Sequence, residues 1–455
     1  MSAFEETIVA LATPPGVGAI GVIRVSGKET IPLVNEIFKG KDLSNQPSHS
    51  ICYGTIRKDN AILDEVLISL FKGPNSYTKE DVIEISSHGS PYILQKIIEL
   101  ILEKGARMAR PGEFTQRAFI NGRFDLAQAE AVADLIASEN QAMQQTAMKQ
   151  MRGGFSDEIK VLRDRLVHFA SMIELELDFS EEDVEFADRQ QVADLIQEIQ
   201  STLLPLIESF KWGNVIKNGV PVVIAGKPNA GKSTLLNALF KEEKAIVSEI
   251  AGTTRDIIED QLVLDGITFR FIDTAGLRDT EDYVEKIGVQ RAHEKMEEAS
   301  LILYLLDLNT TDLNEVQTEI ESIMGRGVPF LVIGNKKDLI TESELEGWKR
   351  RHPIVPIAAK SGDGINELRK LLIDNVLENK VTGDQTVVTN SRHYQSLIKT
   401  QEALDKVLES LDSGITGDFL AMDIRESLHH LGEITGEITT DDLLDNIFSK
   451  FCIGK

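Results

Sequence analysis

The sequence predicts a multidomain protein of class α/β plus α. A small α+β domain precedes an all-α domain, and a doubly wound α/β domain is inserted into the helical part. The chain has 455 residues, too many for one hydrophobic core, since domains usually hold about 100–200 residues. Hydrophobic residues make up 42% and charged residues 27%, as in a folded globular protein. Along the chain, short β-rich runs give way to helical periodicity, then to alternating strands and helices, and finally to helices again.

The α+β domain is predicted over residues 1–120. Its β-rich runs, at Ile20–Val25, Glu65–Phe71 and Val82–Ser86, alternate with glycine and proline turns. Tyr92–Lys104 has the apolar spacing of an amphipathic helix. Strands and a helix in this order indicate a small mixed domain.

Two helical segments follow, over residues 121–216 and 379–455. In the first segment, helical periodicity begins at Asp125. The segment is rich in Ala, Gln, Glu and Leu, and it has one acidic interruption at Glu174–Asp188. We expect the two segments to pack as one helical domain, because domain insertion succeeds at exposed loops whose ends lie close together. Residues 217–378 are then the insertion.

The inserted segment alternates strands with helices. Its strand-like runs are mostly apolar on both faces, as buried parallel strands are. They are Pro221–Ala225, Ile267–Ile272, Leu301–Leu306, Pro329–Ile333 and Ile354–Ile357. This alternation predicts a doubly wound α/β fold.

Composition argues against several classes of protein. Acidic residues outnumber basic ones 73 to 48, which gives a net charge of −25, so the average field repels nucleic acid and anionic membranes. Any RNA contact must therefore be local or supplied by a partner. Cys52 and Cys452 lie far apart, which favours a reducing compartment over a disulfide framework or a zinc site built on cysteines. With no signal-peptide pattern and no apolar run of membrane-spanning length, we expect a cytoplasmic protein without membrane association.

Gly226–Ser233 fits the phosphate-binding pattern G-x-x-x-x-G-K-[ST]. It lies between an apolar strand and the predicted helix Thr234–Phe240, where backbone N–H groups and the helix N-terminus can bind phosphates. Lys232 would reach the outer phosphates, and the Ser233 hydroxyl would bind Mg²⁺. The alternative is a chance glycine-rich turn, which the flanking strand and helix disfavour.

Three later segments complete a guanine-nucleotide site. Asp273–Gly276 would supply a carboxylate near Mg²⁺ and an N–H for the γ-phosphate, although alone it could be an ordinary turn. Asn335–Asp338 ends in a carboxylate that can accept hydrogen bonds from the guanine N1–H and amine, which adenine does not offer in that arrangement. Ala358–Lys360 stands where GTPases have a further base-contacting loop, with alanine instead of the usual serine. Together these segments predict GTP rather than ATP.

Hydrolysis needs groups that the usual motifs do not supply here. Leu277 stands where Ras-like proteins have the glutamine that orients water, so either hydrolysis is slow or other residues supply the charge and the base. Asn229 could offer its carbonyl oxygen to a monovalent cation beside the phosphates, and Glu285 could position water. Thr254 could complete the Mg²⁺ shell. The alternatives are a turn asparagine, a solvated glutamate and a polar surface turn.

Five further segments carry a resemblance to a known family. They are Glu6–Gly16, Gly73–Thr78, Arg110–Phe114, Asp125–Ala131 and Phe451–Lys455, so the likeness covers nearly the whole chain. With the nucleotide motifs, they make the sequence similar to the MnmE (TrmE) family of bacterial tRNA-modification GTPases, within the TrmE-Era-EngA-like group. The resemblance implies an N-terminal folate-binding-like domain that dimerises, a central all-α domain and an inserted Ras-like G domain.

For the G domain, the resemblance implies a GTP hydrolase that is activated when potassium joins two G domains. It implies K⁺ ligands at Asn229, Ser248, Ile250 and Thr253, Mg²⁺ ligands at Ser233 and Thr254, and a catalytic role for Glu285. Ser248 stands where some members have threonine. The GTP-binding residues expected from the motifs and the resemblance are Asn229, Ala230, Gly231, Lys232, Ser233, Thr234, Ser248, Glu249, Ile250, Ala251, Gly252, Thr253, Asp273, Thr274, Ala275, Gly276, Asn335, Lys336, Lys337, Asp338, Ala358, Ala359 and Lys360.

The resemblance also implies a biological role. Family members work with the FAD- and NADH-dependent partner MnmG (GidA) and build a 5-carboxymethylaminomethyl or aminomethyl group on the wobble uridine of tRNA. The one-carbon donor is 5-formyltetrahydrofolate or a related folate, which Arg24, Glu84, Arg123 and Lys455 would hold. Considered without the resemblance, Arg24 and Glu84 are interpreted as ordinary strand residues. The expected assembly is a homodimer joined to MnmG in a heterotetramer or larger complex, with tRNA bound mainly by MnmG.

Two other classes of function fit parts of the sequence. A GTP-timed ribosome-assembly factor would carry an appended basic RNA-binding module, which no flanking segment resembles. A scaffold whose G domain only reports nucleotide would not need Lys232, Ser233, Asp273 and Glu285. Cys452 is expected to be half-buried. A redox or covalent role for this thiol is a further hypothesis, which intact modification by a Cys452→Ser variant would remove.

Overall fold

The computed structural model describes residues 6–59, 61–178, 189–241, 260–272, 299–311, 313–325, 327–377, 386–413 and 417–455. The chain divides into two compact units. The first comprises Met1–Ala137, Ala147–Leu203 and Gln395–Lys455, and the second comprises Ser138–Thr146 and Leu204–Tyr394. In chain order, most of the second unit is thus inserted between two helical parts of the first.

In the first unit, seven described strands form one sheet in the order β3-β4-β5-β6-β2-β1-β7. The strands are β1 (Ile8–Leu11), β2 (Ile20–Ser26), β3 (Phe38–Lys39), β4 (Ser50–Lys58), β5 (Ala61–Phe71), β6 (Val82–His88) and β7 (Arg107–Met108). Neighbours are antiparallel except β1 and β7, which are parallel. The predicted strands of this region are confirmed, with ends shifted by a few residues.

One face of this sheet is covered by α1 (Thr30–Ile37) and α2 (Pro91–Glu103). Ile23 and Ile85 point into that core, because side chains alternate along a strand. Arg24, next to Ile23, therefore belongs to the opposite face of the sheet. The predicted amphipathic helix Tyr92–Lys104 is confirmed as α2.

The helices assigned to the first unit include its C-terminal elements. They are α3 (Glu113–Ile120), α4 (Leu126–Ile136), α6 (Gly154–Asp178), α13 (Gly417–Thr435) and α14 (Asp441–Phe448). Helix α13 packs against α6, and Leu126 packs with Phe448 and Phe451 in a small core. The chain end lies beside α3, where the Phe114 N–H donates to the Lys455 carbonyl oxygen at 3.2 Å.

Helix α6 corrects one expectation. The acidic interruption predicted to start at Glu174 is wrong for residues 174–178, since α6 continues through Asp178. Glu and Leu, which fill this stretch, are strong helix formers, and their propensity outweighs the accumulation of negative charge. The remainder of the predicted interruption, residues 179–188, lies outside the described residues.

Three helices have residues in both units: α5 (Gln141–Met151), α7 (Arg189–Asn218) and α12 (Ser391–Asp412). Because the units divide these helices internally, the domain limits predicted at residues 120, 216 and 378 stay predictions. None of the helices in the described part of the chain is long and apolar enough to cross a membrane.

In the second unit, six described strands form a sheet in the order β13-β12-β11-β8-β10-β9. The strands are β8 (Val220–Ala225), β9 (Asp260–Leu264), β10 (Ile267–Ile272), β11 (Leu301–Asp307), β12 (Phe330–Asn335) and β13 (Ile354–Pro356). All neighbours are parallel except β9, which pairs antiparallel with β10. The helices are α8 (Lys232–Phe240), α9 (Leu313–Met324), α10 (Glu342–Arg351) and α11 (Ile365–Leu377).

Strand β11 is buried on both faces. Leu303 lies in a core with Leu235 of α8, while Ile302 lies in another core with Val316 of α9 and Trp348 of α10. Helices therefore cover both sides of a mostly parallel sheet, and the predicted doubly wound α/β fold is confirmed.

Candidate functional site

The phosphate-binding motif forms the turn from β8 into α8. Gly226 has φ +147° and Gly231 has φ +99°, a backbone region that favours glycine. A Cβ at Gly226 would collide with the Leu305 carbonyl oxygen, and one at Gly231 would collide with the Asn335 amide. The loop thus requires glycine at both positions, and its backbone leads directly into the N-terminus of α8, where N–H groups can bind an anion.

Lys232 begins α8 and turns back over this loop. Its Nζ donates to the carbonyl oxygens of Gly226 at 2.7 Å and Lys227 at 3.0 Å, and burial lowers the pKa of its ammonium. Ser233 and Thr234, on the first turn of α8, are exposed. The ammonium and two hydroxyl groups therefore gather at the end of α8 where phosphates are expected.

Asn335, the last residue of β12, connects loops that are distant in sequence. Its buried side chain donates from Nδ2 to the Ala230 carbonyl oxygen at 2.8 Å and accepts at Oδ1 from the Ala359 N–H at 3.0 Å. The phosphate-binding loop, the Asn335–Asp338 segment and the Ala358–Lys360 loop are thereby fixed to one another. Sequence reasoning missed this connecting role, because the motif gives the residue but not its partners.

The residues after Asn335 differ in environment. Lys336 has φ +63° and its Nζ lies 2.7 Å from the Asp307 carboxylate, while Lys337 pairs with Asp363 at 2.7 Å. Asp338 is exposed, so its carboxylate is open to a base. Two lysines held by carboxylates beside an open aspartate are compatible with recognition of a guanine.

Ala358 and Ala359 are buried, and Lys360 is exposed. A small side chain is required at 358, where the residue is only 1% exposed. The replacement of the usual serine by alanine is therefore compatible with the packing.

Several predicted nucleotide-site residues lie outside the described residues. These are Ser248, Glu249, Ile250, Ala251, Gly252, Thr253, Thr254, Asp273, Thr274, Ala275, Gly276, Leu277 and Glu285. Their assignments stay predictions.

A second candidate site is a cavity of about 570 Å³ in the first unit. It is lined by Arg24, His49, Phe71, Pro74, Asn75, Ser76, Tyr77, Lys79, Val82, Glu84 and Arg123. The volume lies in the usual range of small-molecule sites, about 300–1,000 Å³. Three of the four residues expected to hold a folate line this cavity.

Strand register brings two of them together. Arg24 on β2 stands directly opposite Glu84 on β6, and its Nε and Nη2 donate to Glu84 Oε1 at 3.0 and 2.8 Å. The Nη1 of Arg24 donates to the Gly454 carbonyl oxygen at 3.1 Å. The C-terminal tail thus fixes the guanidinium from the other side, and Arg24 is more than an ordinary strand residue.

Two guanidinium groups lie close to the Tyr77 ring. The Cζ atoms of Arg24 and Arg123 lie 5.2 and 5.3 Å from its ring centroid, and its hydroxyl bonds to Thr115 Oγ1 at 2.9 Å. Burial raises the pKa of the Tyr77 phenol, so it stays neutral. Arg123 also donates to the Ser76 carbonyl oxygen. The resemblance did not single out Tyr77, although its tyrosine occurs in one of the matching segments.

Lys455 is not among the residues that line the cavity; its carbonyl oxygen accepts from the Phe114 N–H, and the neighbouring Gly454 contacts Arg24. Its predicted part in folate binding stays a prediction. Cys452 is exposed, so the expectation of a half-buried thiol is wrong. The tail pairs with Pro111 through Ile453, which directs the Cys452 side chain to solvent.

Comparisons with known proteins cover the whole chain. A family model described as the GTP-binding protein TrmE N-terminus matches residues 7–123, and the MnmE helical domain matches residues 126–452. The tRNA modification GTPase MnmE of Cytophaga hutchinsonii is 58% identical over 450 residues, covering 99% of this chain and 98% of that protein. The protein of the same name from Christiangramia forsetii is 52% identical, covering 99% of each.

Among solved structures, the FeoB G-domain from Methanococcus jannaschii is 24% identical with a TM-score of 0.26, covering 34% of this chain and 97% of that chain. The matches to these two relatives cover 99% of this chain and therefore span both units. This chain therefore belongs to the MnmE family of tRNA modification GTPases.

Proposed function

We propose that GTP hydrolysis by this chain drives the building of a 5-carboxymethylaminomethyl or aminomethyl group on the wobble uridine of tRNA. The chain acts with the FAD-dependent partner MnmG and takes its one-carbon unit from 5-formyltetrahydrofolate or a related folate. The observation that carries the proposal is the cavity in which Arg24 and Arg123 flank Tyr77, since it joins a GTPase to a site for a small anionic aromatic molecule.

The chemistry of the cavity suits a folate. A folate has a flat heterocycle with N–H donors and a tail with carboxylates, and it supplies the one-carbon unit when bound. Arg24 and Arg123 can pair with carboxylates, the Tyr77 ring can stack on the heterocycle, and Glu84 can accept its N–H groups. In this role the residues bind and orient the folate rather than react with it.

The nucleotide site suits a hydrolase that relies on cations. Lys232 would neutralise the outer phosphates and Ser233 would be a Mg²⁺ ligand, together with Thr254. Asn229 is exposed with φ +62°, so its side chain is free of the packed core and can contribute an oxygen to K⁺. Bound K⁺ would supply positive charge beside the phosphates, the part that an arginine finger has in related GTPases. Glu285 would position the attacking water.

The proposed assembly is a homodimer that associates with MnmG. A net charge of −25 disfavours extensive direct contact with tRNA, so we assign most of the tRNA binding to MnmG. Dimerisation of two G domains around K⁺ would link hydrolysis to a conformational cycle.

The test compares tRNA nucleosides by mass spectrometry in cells with and without the gene. We expect the modified wobble uridines to disappear and to return with the wild-type gene but not with a Lys232→Ala variant. Unchanged wobble uridines together with defective ribosomal subunits would overturn the proposal in favour of a ribosome-assembly factor.

A further inference from the structure

The C-terminal half of α13 carries a cluster of metal-binding side chains that neither candidate site uses. One ligand atom from each of His429, His430 and Glu433 lies within 4.8 Å of the others. His429 Nε2 is 3.5 Å from Glu433 Oε1, and His430 Nδ1 is 3.2 Å from Glu433 Oε2. At 3.6 residues per turn, Glu433 projects between the two histidines, about 40° from one and about 60° from the other. The helix itself therefore brings the three groups together.

These distances match the spacing of ligands around a small metal ion. In a tetrahedral site with bonds of about 2.0–2.1 Å, ligand atoms lie about 3.3–3.4 Å apart. The histidine–glutamate distances, 3.5 Å to Glu433 Oε1 and 3.2 Å to Glu433 Oε2, are each near that value although they end on different oxygens of the carboxylate. The two rings are inclined at 77°, so they do not stack and their nitrogens can turn toward a common point. Binding would need only small side-chain adjustments.

The carboxylate has a second support. Ser396, a buried residue of α12, donates from Oγ to Glu433 Oε2 at 3.4 Å. Hydrogen bonds of this kind orient the ligands of a metal and raise its affinity. The side chains of His430 and Glu433 are 15% and 30% exposed, while that of His429 is 52% exposed. The cluster is therefore held on one side and open to water on the other.

The position along α13 also favours a cation. The last turn of this helix contains no basic residue, although the C-terminal end of a helix dipole is negative. Glu433 adds a further negative charge there. A bound divalent ion would interact favourably with this end of the helix dipole.

We propose that His429, His430 and Glu433 bind one divalent transition-metal ion of the zinc type, with a remaining position open to water. Two imidazoles and one carboxylate are ligands that Zn²⁺, Ni²⁺ or Cu²⁺ prefer, whereas K⁺ and Mg²⁺ prefer oxygen alone. Through Glu433 and Ser396, the ion would fasten the end of α13 to α12. The competing explanation is a pair of histidine–glutamate contacts that stabilise the helix without a metal.

Calorimetric titration with ZnCl₂ tests the site. The full-length chain is used without nucleotide and after chelation, with excess Mg²⁺ to occupy oxygen sites, in a Cys452→Ser background that removes the exposed thiol. We expect one Zn²⁺ per chain, and an affinity about tenfold or more weaker in His429→Gln, His430→Gln and Glu433→Gln variants. His168→Gln, at an exposed histidine of α6, is the control and should leave binding unchanged.

Electron paramagnetic resonance with Cu²⁺ provides a readout that a structural role would not change. The parent should show two nitrogen ligands, and either single histidine variant should show one. Circular dichroism confirms that each variant is folded. The proposal is overturned if a His429→Gln/His430→Gln double variant binds Zn²⁺ like the parent, or if the parent binds none up to about 100 µM.

Discussion

The side-chain amide of Asn335 connects three loops, and the first and last of them are more than 100 residues apart in sequence. It accepts from the Ala359 N–H and donates to the Ala230 carbonyl oxygen, and it is only 2% exposed. Each buried polar group that loses its hydrogen-bond partner destabilises the folded state by about 1–3 kcal/mol, because water cannot replace the lost bond. The geometry of the nucleotide site therefore depends on this one residue.

We expect Asn335→Ala to weaken guanine-nucleotide binding by about tenfold or more, since it leaves a buried carbonyl and a buried N–H without the partner that aligns their loops. Fluorescence titration with a labelled GDP measures the affinity. Asn237→Ala, at an exposed asparagine of α8, is the matched control. Equal affinity in both variants would contradict the role of Asn335.

Tyr77 allows a second prediction at this scale. Tyr77→Leu removes the ring that lies close to Arg24 and Arg123. We expect this variant to bind 5-formyltetrahydrofolate about tenfold more weakly. The reason is that a stacked pair of rings adds roughly 0.5–1.5 kcal/mol to the binding free energy beyond the effect of buried area. Tyr77→Phe keeps the ring and should retain most of the affinity.

Equilibrium dialysis with labelled folate gives both affinities for the Tyr77 variants. Tyr92→Leu, at a tyrosine that is 68% exposed, serves as control. If Tyr77→Leu bound folate as well as the wild type, the cavity would not be the folate site.

Residue identities were easier to predict than residue partners. The patterns around Lys232 and Asn335 predicted a GTP site because their spacing is specific to that chemistry. The pairing of Arg24 with Glu84 depends on strand register, which no local pattern contains. The exposure of Cys452 depends on how the chain end packs beside α3, which is a long-range contact.

At the scale of elements, the sequence patterns predicted long helices and most of the buried strands of the second unit, but they missed β1, β3, β4, β7 and β9. Strand β1 has four residues and was missed, since so short a run gives little signal. Strand β9 was missed as well; it pairs antiparallel with β10 through the turn at Asp265–Gly266, whose positive φ angles of +47° and +81° suit a tight hairpin.

Two capping boxes give a matched pair of predictions. Asp125 caps α4 with Gln128, and Thr341 caps α10 with Glu344. Replacing such a capping residue by alanine lowers the stability of the helix by about 0.5–2 kcal/mol, because a backbone N–H loses its acceptor. We expect Asp125→Ala to speed amide hydrogen exchange at the start of α4 and not in α10, and Thr341→Ala to do the reverse.

Hydrogen exchange followed by mass spectrometry resolves the two helices. Each variant is the control for the other, because the caps have the same geometry in different compact units. Exchange that rises equally in both helices in either variant would show global rather than local destabilisation, and would contradict the prediction.

At the scale of the whole molecule, the sequence predicted an α/β unit interrupting a helical one because the change of pattern is abrupt on both sides. It could not locate the limits of the compact units, three of which fall inside α5, α7 and α12. A continuous helix has the same periodicity on either side of such a limit, so no local pattern marks it.

Because Leu277 stands where Ras-like proteins have a glutamine, hydrolysis needs charge from another source. If K⁺ joins two G domains through Asn229, turnover of GTP should be at least about tenfold faster in KCl than in NaCl at equal ionic strength. The size of the effect follows from related enzymes, in which the positive charge of an arginine finger raises the catalytic rate by a factor of about 10³–10⁵. Asn229→Ala should abolish the difference between the salts, whereas Asn237→Ala should preserve it. Phosphate release measured in both salts decides the matter: equal rates in KCl and NaCl would exclude potassium-dependent pairing of the G domains.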